Sequence, residues 1–320
     1  MATLTTASQL TFLELANRLN NKTLLAIAEV LSEENEWMKD AVWLPSNQPT
    51  SHVHLQRLNE PTGALRRINQ GVETEASQTQ KVTEPFAMYE AESVIDERLV
   101  QLAKDKRSFR SGEDLAFLSG MFKNVSSDML YGSLATEPDG INGFLTRRNE
   151  LGTNAVSNGG SGSDLMSALI IQWGKDRTHL IYPEGSSTMG IKAEDRGRQR
   201  ILDSDSRPYW AWVTRFYFDV GIVVRDDRCL QRVANIESAG STNIFDEDVL
   251  IGRLNAMKDR GKNSVIYVNQ TLLTQMEIRA KDKTNVNYNF TDAFGGQILT
   301  FRGSPVRLWE QMLITESEVT

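Results

Sequence analysis

The sequence predicts an α+β fold drawn out into an elongated slab, and three features of the chain carry that reading. Leu115, Leu118, Phe122, Val125 and Met129 advance by steps of three and four, a narrow apolar seam on one helix. Between Trp210 and Val224, the residues Trp212, Phe216, Phe218, Val220, Ile222 and Val224 fall on even positions, while Arg215, Tyr217 and Asp219 take odd ones. The third feature is a stretch from Pro45 to about Gln80 that alternates without building a dry face on either side. A two-stranded ribbon of that kind is marginal in water and needs a partner surface.

Composition sets the outer bounds. The chain has 320 residues, 40% hydrophobic and 24% charged, the balance of a globular protein with room for about two domains. Its net charge of −7 argues against affinity for nucleic acid driven by phosphate neutralisation. No apolar run approaches the roughly 20 residues that a membrane span requires, and the start, MATLTTASQL, lacks the basic and apolar segments of a secretory signal. Cys229 is a single cysteine, so stability must come from packing without an internal disulfide.

Along the chain, Leu24, Ile27, Ala28 and Leu31 give an apolar helical face, with Asn20-Asn21 separating it from a shorter helix. Next, HVHLQRL and GALRRIN flank Asn59–Gly63, whose Pro and Gly are turn chemistry, and the pair reads as a hairpin. The following GVETEASQTQ is polar. Val94, Ile95, Leu99 and Leu102 then open a long helical region. Ser111 and Asp114 resemble a capping box for the seam helix, expected to end at Tyr131-Gly132 with a length of about 20 residues, or roughly 30 Å. LMSALIIQW and THLIYPEG read as short strands, and KAEDRGRQR as a solvated loop. The long alternating strand would span roughly 45–50 Å, with a bend expected at Gly221. Beyond it come a helix from Asp246 to Lys258, a buried strand SVIYVN, a helix from Thr271 to Ala280, and a final hairpin, QILTFRGSPVRLWE, turning at Gly303.

None of the constellations with chemical potential completes a catalytic set. The glycines of NGGSGSD (158–164) could expose backbone N–H groups to a phosphate, but no GK[ST] follows and the spacing is not G-x-G-x-x-G. His52, His54 and His179 are a poor metal supply, and His52 and His54 are expected as solvent-exposed imidazoles. Ser186 in PEGSS lacks the second glycine of a nucleophile elbow. Asp226-Asp227 and Glu194-Asp195 read as turns or solvated faces, and Cys229 as a structural cysteine. No catalytic, cofactor or metal residue is therefore assigned, and the chain is not expected to be an enzyme.

Several segments resemble, in consistent order, the major capsid proteins of tailed bacteriophages, specifically a podovirus-type family with the Hong Kong 97-type capsid fold. They are LPSNQPTSHVHLQRLNEPTGALRRINQGV, EPFAMYEAESVIDERL, SGEDLAFLSGMFKNVSSDMLYG, VSNGGSGSDLMSALIIQWGKDRTHLIYPEGS, TRFYFDVGIVVRDDRCLQRVANI, and VIYVNQTLLTQMEIRA with LTFRGSPVRLWE. The resemblance covers nearly the whole chain. It implies an N-terminal arm at 1–48 and an extended hairpin loop at 49–83. A peripheral domain would take 84–140 and 207–240, with a spine helix at 108–131, and an axial domain 141–206 and 241–320. The position of VNQTLLTQ…FRGSPV after the long strand implies a variant connection order.

By the same resemblance, the chain would assemble as pentamers and hexamers into an icosahedral shell around double-stranded DNA, held by non-specific contacts. Its implied partners are copies of itself, a separate scaffolding protein, a portal and a cement protein. It would be built in the bacterial host cytoplasm and end in the virion. Relatives that weld subunits use a lysine of the extended loop, and residues 51–80 contain none. Arg57, Arg66 and Arg67 are the candidates for intersubunit contacts, because guanidinium groups bind carboxylates as planar forks. The rival readings are a nanocompartment shell of the same fold and a cytosolic nucleotide-binding enzyme using 158–164.

Overall fold

The computed structural model describes residues 36–59, 61–184, 191–240, 242–281, 287–293 and 296–320. The helices expected around Leu24–Leu31 lie outside these residues. In chain order the elements begin with α1 (Trp37–Asp40), β1 (Trp43–Pro45), β2 (Ser51–Asn59), β3 (Gln78–Asp96), α2 (Glu97–Leu102) and the spine helix α3 (Lys106–Tyr131). They continue with β4 (Ala155–Ser157), β5 (Leu165–Gln172), β6 (Thr178–Tyr182), β7 (Ile191–Leu202), β8 (Pro208–Val224) and β9 (Leu230–Glu237). The last are α4 (Glu247–Ala256), β10 (Ser264–Val268), α5 (Gln270–Ala280), β11 (Tyr288–Ala293), β12 (Gly296–Phe301) and β13 (Ser304–Leu308).

Two sheets organise the chain. One runs β1-β6-β8-β3-β2, with β7 also paired to β8; the other runs β11-β12-β13-β10-β5-β9-β4. The long strand β8 is the axis of the first. β3 pairs along it from Phe86↔Gly221 to Asp96↔Ala211, and β6 and then β7 take its other edge. No register shift marks the bend expected at Gly221, where the β3 ladder ends and the β6 ladder begins. The glycine answers instead to space: a Cβ there would stand 2.7 Å from the Pro85 carbonyl oxygen and 2.8 Å from Ile181 Cγ1.

β5 explains how the layers stack. Its eight residues are all buried, the signature of a strand covered on both faces. Leu169 and Ile171 join a core with the spine helix and β8, while Met166, Ala168 and Ile170 join a second core with Leu250 and Leu254 of α4 and Leu272 and Met276 of α5. On the spine helix the predicted seam is buried at Leu118, Phe122, Val125 and Met129 but not at Leu115, which is exposed, and the Phe122 ring lies 4.7 Å from that of Phe218. Ser126 sits among tryptophans on the same face. Its hydroxyl accepts from Trp37 Nε1 at 3.1 Å and Trp309 Nε1 at 2.7 Å, and donates to Gln311 Oε1 at 2.9 Å.

Four local expectations are corrected. Val94 and Ile95 belong to β3, not to a helix, because β8 supplies a ladder that extends the strand to Asp96; α2 starts only there, with the Asp96 carboxylate accepting from the Arg98 N–H. The spine helix starts at Lys106, ahead of the Ser111–Asp114 box. Asp105 caps it by accepting from the Arg107 and Ser108 N–H groups, while Asp114 accepts from Thr214 Oγ1. KAEDRGRQR is not a loop but most of β7, an edge strand whose charges and Asp195/Gly197 bulge protect an otherwise open edge. GALRRIN does not pair with HVHLQRL. The partner of β2 is Gln78–Pro85 of β3, and no strand forms between 61 and 77.

The last turn agrees with the sequence, and the two C-terminal helices begin and end within two residues of the expected bounds. Asp246 and Asn269 cap α4 and α5 with their side chains, and β12 and β13 join through Arg302 and Gly303, both at positive φ. The sheets divide the chain differently from the segments expected for the two domains: 178–182 and 191–202 sit beside β8, and 230–237 sits between β5 and β4.

Candidate assembly surfaces

β8 stops pairing with β3 at Phe86, so residues 78–85 are held only by β2. The chain between these strands, 61–77, is exposed throughout. The Glu75 carboxylate accepts from the Thr62 and Gly63 N–H groups at 2.8 and 3.1 Å and closes that excursion on itself. Leu65 and Ile68 are 96% and 92% exposed, a large apolar area offered to solvent. Arg66 and Arg67 lie between them, also exposed. Of Arg57 the structure describes the backbone, opposite Thr79 in the ladder. The three arginines predicted for intersubunit contact thus share one ribbon.

The ribbon's root is built differently from its tip. Glu84 takes a bidentate guanidinium fork from Arg147, both bonds 2.7 Å, and Arg147 also donates to the Asn142 carbonyl at 3.0 Å. Gln56 donates to Asp227, which also accepts from Arg148. The histidines are not solvent-exposed as expected. His54 and His179 are buried, and His52 touches both, with ring centroids 6.4 Å from His54 and 5.8 Å from His179. The sequence hid this, because nothing in the local pattern around THLIY marks β6 as the neighbour of the ribbon root.

A second surface lies between β3 and the spine helix, an open groove lined by Tyr89, Ala91, Ala116, Phe117 and Met121, with Glu90 and Asn124 at its polar edge. The C-terminal tail, by contrast, is fastened inside. Arg232 and Glu316, with side chains 4% and 5% exposed, pair at 2.9 Å; Tyr131 donates to the same carboxylate at 2.6 Å, and Ser167 also donates to it. Asn235 bonds both the N–H and the carbonyl of Val319.

The remaining chemical candidates are structural. In the Gly/Ser loop, Gly159 N–H donates to Ser157 Oγ and Gly160 N–H to the Asn235 carbonyl, so neither is free to cradle a phosphate. Cys229 is buried, and burial with the nearby Asp226 pushes its thiol up to about 11, the opposite of an activated nucleophile. Asp226 caps a 3₁₀ turn, Asp195 pairs with Arg110 and Glu194 with Arg196. Ser186 lies outside the described residues. Among the described residues no group of three His, Cys, Asp or Glu is placed to hold a metal ion, and no helix is long and apolar enough to cross a membrane.

The sequence profile of the family described as "Major capsid protein GP7" matches residues 20–320. The chain belongs to this family. As a GP7-family major capsid protein of a tailed phage, it has a structural role and a place in the capsid of the virion. Its fold agrees: a chain from the near-atomic structure of bacteriophage Epsilon15 superposes with a TM-score of 0.64 at 26% identity, over 88% of this chain and 88% of that one. The capsid protein of bacteriophage JBD30 superposes with a TM-score of 0.51 at 13% identity, over 88% of this chain and 92% of its own length. The Hong Kong 97-type fold expected from the resemblance is therefore the fold of this capsid protein. No curated protein matches the chain.

Proposed function

We propose that this capsid protein assembles as pentamers and hexamers into a closed icosahedral shell around packaged double-stranded DNA, with the 49–83 ribbon as the arm by which each copy holds its neighbours. The observation that carries this reading is the ribbon itself: a strand pair projecting past the end of β8, ending in exposed Leu65 and Ile68 beside Arg66 and Arg67. A surface so apolar and so poorly supported is stable when another copy covers it, and weak contacts suffice because the lattice multiplies them. Arg57, Arg66 and Arg67 would pair with carboxylates of the neighbouring copy. We assign the body around the spine helix and β8 to the peripheral domain, and the layer of β5, β9, β10, α4 and α5 to the axial domain.

A separate scaffolding protein would guide closure, a portal would occupy one vertex, and a cement protein would reinforce a shell free of isopeptide bonds from residues 51–80. Assembly would take place in the host cytoplasm, and the DNA contacts would be non-specific, in keeping with a net charge of −7. Electron microscopy and sedimentation of the chain co-expressed with its scaffolding protein test this. Closed shells from the intact chain and soluble, folded subunits from a chain with 61–77 replaced by a short glycine linker are expected. Shells of normal yield from the shortened chain would refute the role of the ribbon.

A further inference from the structure

All three histidines of the chain meet where the ribbon leaves the body. His52 and His54 come from β2, with His52 opposite Glu84 of β3, and His179 comes from β6, which lies between β1 and β8. His54 and His179 are 5% and 1% exposed. None of their four ring nitrogens closes a hydrogen bond of normal geometry, nor does Nδ1 of His52; the backbone at Val224 and at Gly174 offers His54 and His179 only weak contacts. Buried imidazoles without acceptors are stable uncharged and costly charged.

One carboxylate favours protonation of His52 and His54, and burial outweighs it. Glu84 is the carboxylate nearest His52 and His54, and both its oxygens are occupied by Arg147. Arg225, just past β8, opposes protonation of all three rings, and its own partner Asp176 holds it at 2.8 Å. Asp227 is engaged by Gln56 and Arg148.

We propose that this cluster is a proton-operated latch: three neutral imidazoles seat the root of the ribbon on β6, and acidification charges them, pushing the ribbon off the body. The partner is thus the proton, and the moving part is the β2–β3 ribbon, with Gln56–Asp227 and the Glu84–Arg147 fork as its remaining ties. Burial is the first cause in all three rings and outweighs the pull of Glu84 on His54; His52 and His179 are lowered further by the neighbouring imidazoles and all three by Arg225, with His179 brought from 6.5 to about 3. The seated root binds fewer protons than the released one. Seating is therefore undiminished above about pH 6.5 and weakens as pH falls toward 3. His179 alone makes the ratio of released to seated ribbon about 100-fold larger at pH 4.5 than at pH 7.5, and the other two add to it.

The test uses the full chain, as soluble subunits, labelled with ¹³C at histidine. Only three imidazole signals exist, and titration from pH 8 to pH 4 shows whether each protonates in that range or stays neutral. The latch requires all three to titrate below 6.5, with His179 protonating only together with ribbon release. Release is followed by hydrogen exchange of the amides in 51–59 and 78–85, corrected for intrinsic rates. A loss of protection of about 100-fold or more between pH 7.5 and 4.5 is expected in the ribbon while the spine helix keeps its protection. The variant H179N, neutral throughout, should flatten this dependence. Titration of all three rings near 6.5, or ribbon protection that does not change with pH, would overturn the proposal; so would a folded H179N that releases its ribbon as the wild type does. If H179N does not fold, the wild-type titration decides alone.

Discussion

Replacing Arg232 with leucine should cost this capsid protein more than any exposed ion pair could, and the structure sets the size of the loss. The guanidinium donates to Ser167 Oγ at 3.0 Å, to the Leu145 and Arg148 carbonyls at 3.2 and 3.0 Å, and to Glu316 at 2.9 Å. Glu316 would remain in the interior with the Tyr131 and Ser167 hydroxyls as donors and no counter-charge. Removing one member of a buried pair costs about 3–5 kcal/mol, whereas replacing both with apolar residues is close to neutral. Arg232→Leu should therefore lose about 3–5 kcal/mol, and Arg232→Leu with Glu316→Leu should regain most of it. For a chain of 320 residues the unfolding entropy is about 0.7 kcal/mol per degree, so the single variant should melt about 4–7 °C lower. Differential scanning calorimetry of the soluble subunit, with urea unfolding for the free energy, reads both numbers. A single variant within about 1 kcal/mol of wild type, or a double variant no better than the single, would refute the claim that the pair is held by mutual need.

Three further outcomes are expected. Gly221→Ala should destabilise by about 1–3 kcal/mol in urea titrations, since its Cβ meets a backbone oxygen at 2.7 Å that cannot withdraw without parting β3 from β8. Ser126→Ala strands the indole N–H groups of Trp37 and Trp309. It should cost about 2–4 kcal/mol and shift tryptophan emission, whereas a loss below about 1 kcal/mol would mean that both indoles find other acceptors. Cys229, buried with its thiol raised to about 11, should stay unreactive toward a disulfide reagent at pH 8 until the chain unfolds, and rapid labelling of native protein would contradict its placement.

What the sequence revealed and what it withheld divide along a physical line. Elements with a sustained local pattern were legible: the spine-helix seam, β8, β5, the two C-terminal helices, and the turn at Gly303. Each is dictated by its own neighbours in the chain. The misreadings arose where a distant strand decided the outcome. Val94, Ile95, Leu99 and Leu102 have helical spacing, yet β8 offers a ladder along β3 that ends only at Asp96. KAEDRGRQR has no apolar face to announce a strand, because an edge strand held by backbone pairing needs none. The arginines of the ribbon were chosen by residue type, and Arg66 and Arg67 lie on its exposed excursion. The histidine cluster and the Arg232–Glu316 pair escaped notice because each joins residues more than 80 apart in sequence through pairing that no local pattern encodes.

This division also explains why ribbon and body can serve different ends. The body is fixed by a core in which the spine helix, β8, β5 and Trp309 pack together, and its last residues are stitched back by Glu316 and Val319. A force applied to it must break buried contacts to change its shape. The ribbon has no such core: beyond Phe86 it is a two-strand ladder, and beyond Asn59 an exposed excursion closed by Glu75. Its position is set at one place, the root, by contacts that are polar or titratable. A subunit with a rigid body and an arm adjustable at a single point can keep its fold while its neighbours change angle. Five-fold and six-fold surroundings demand that of identical chains sharing one closed shell.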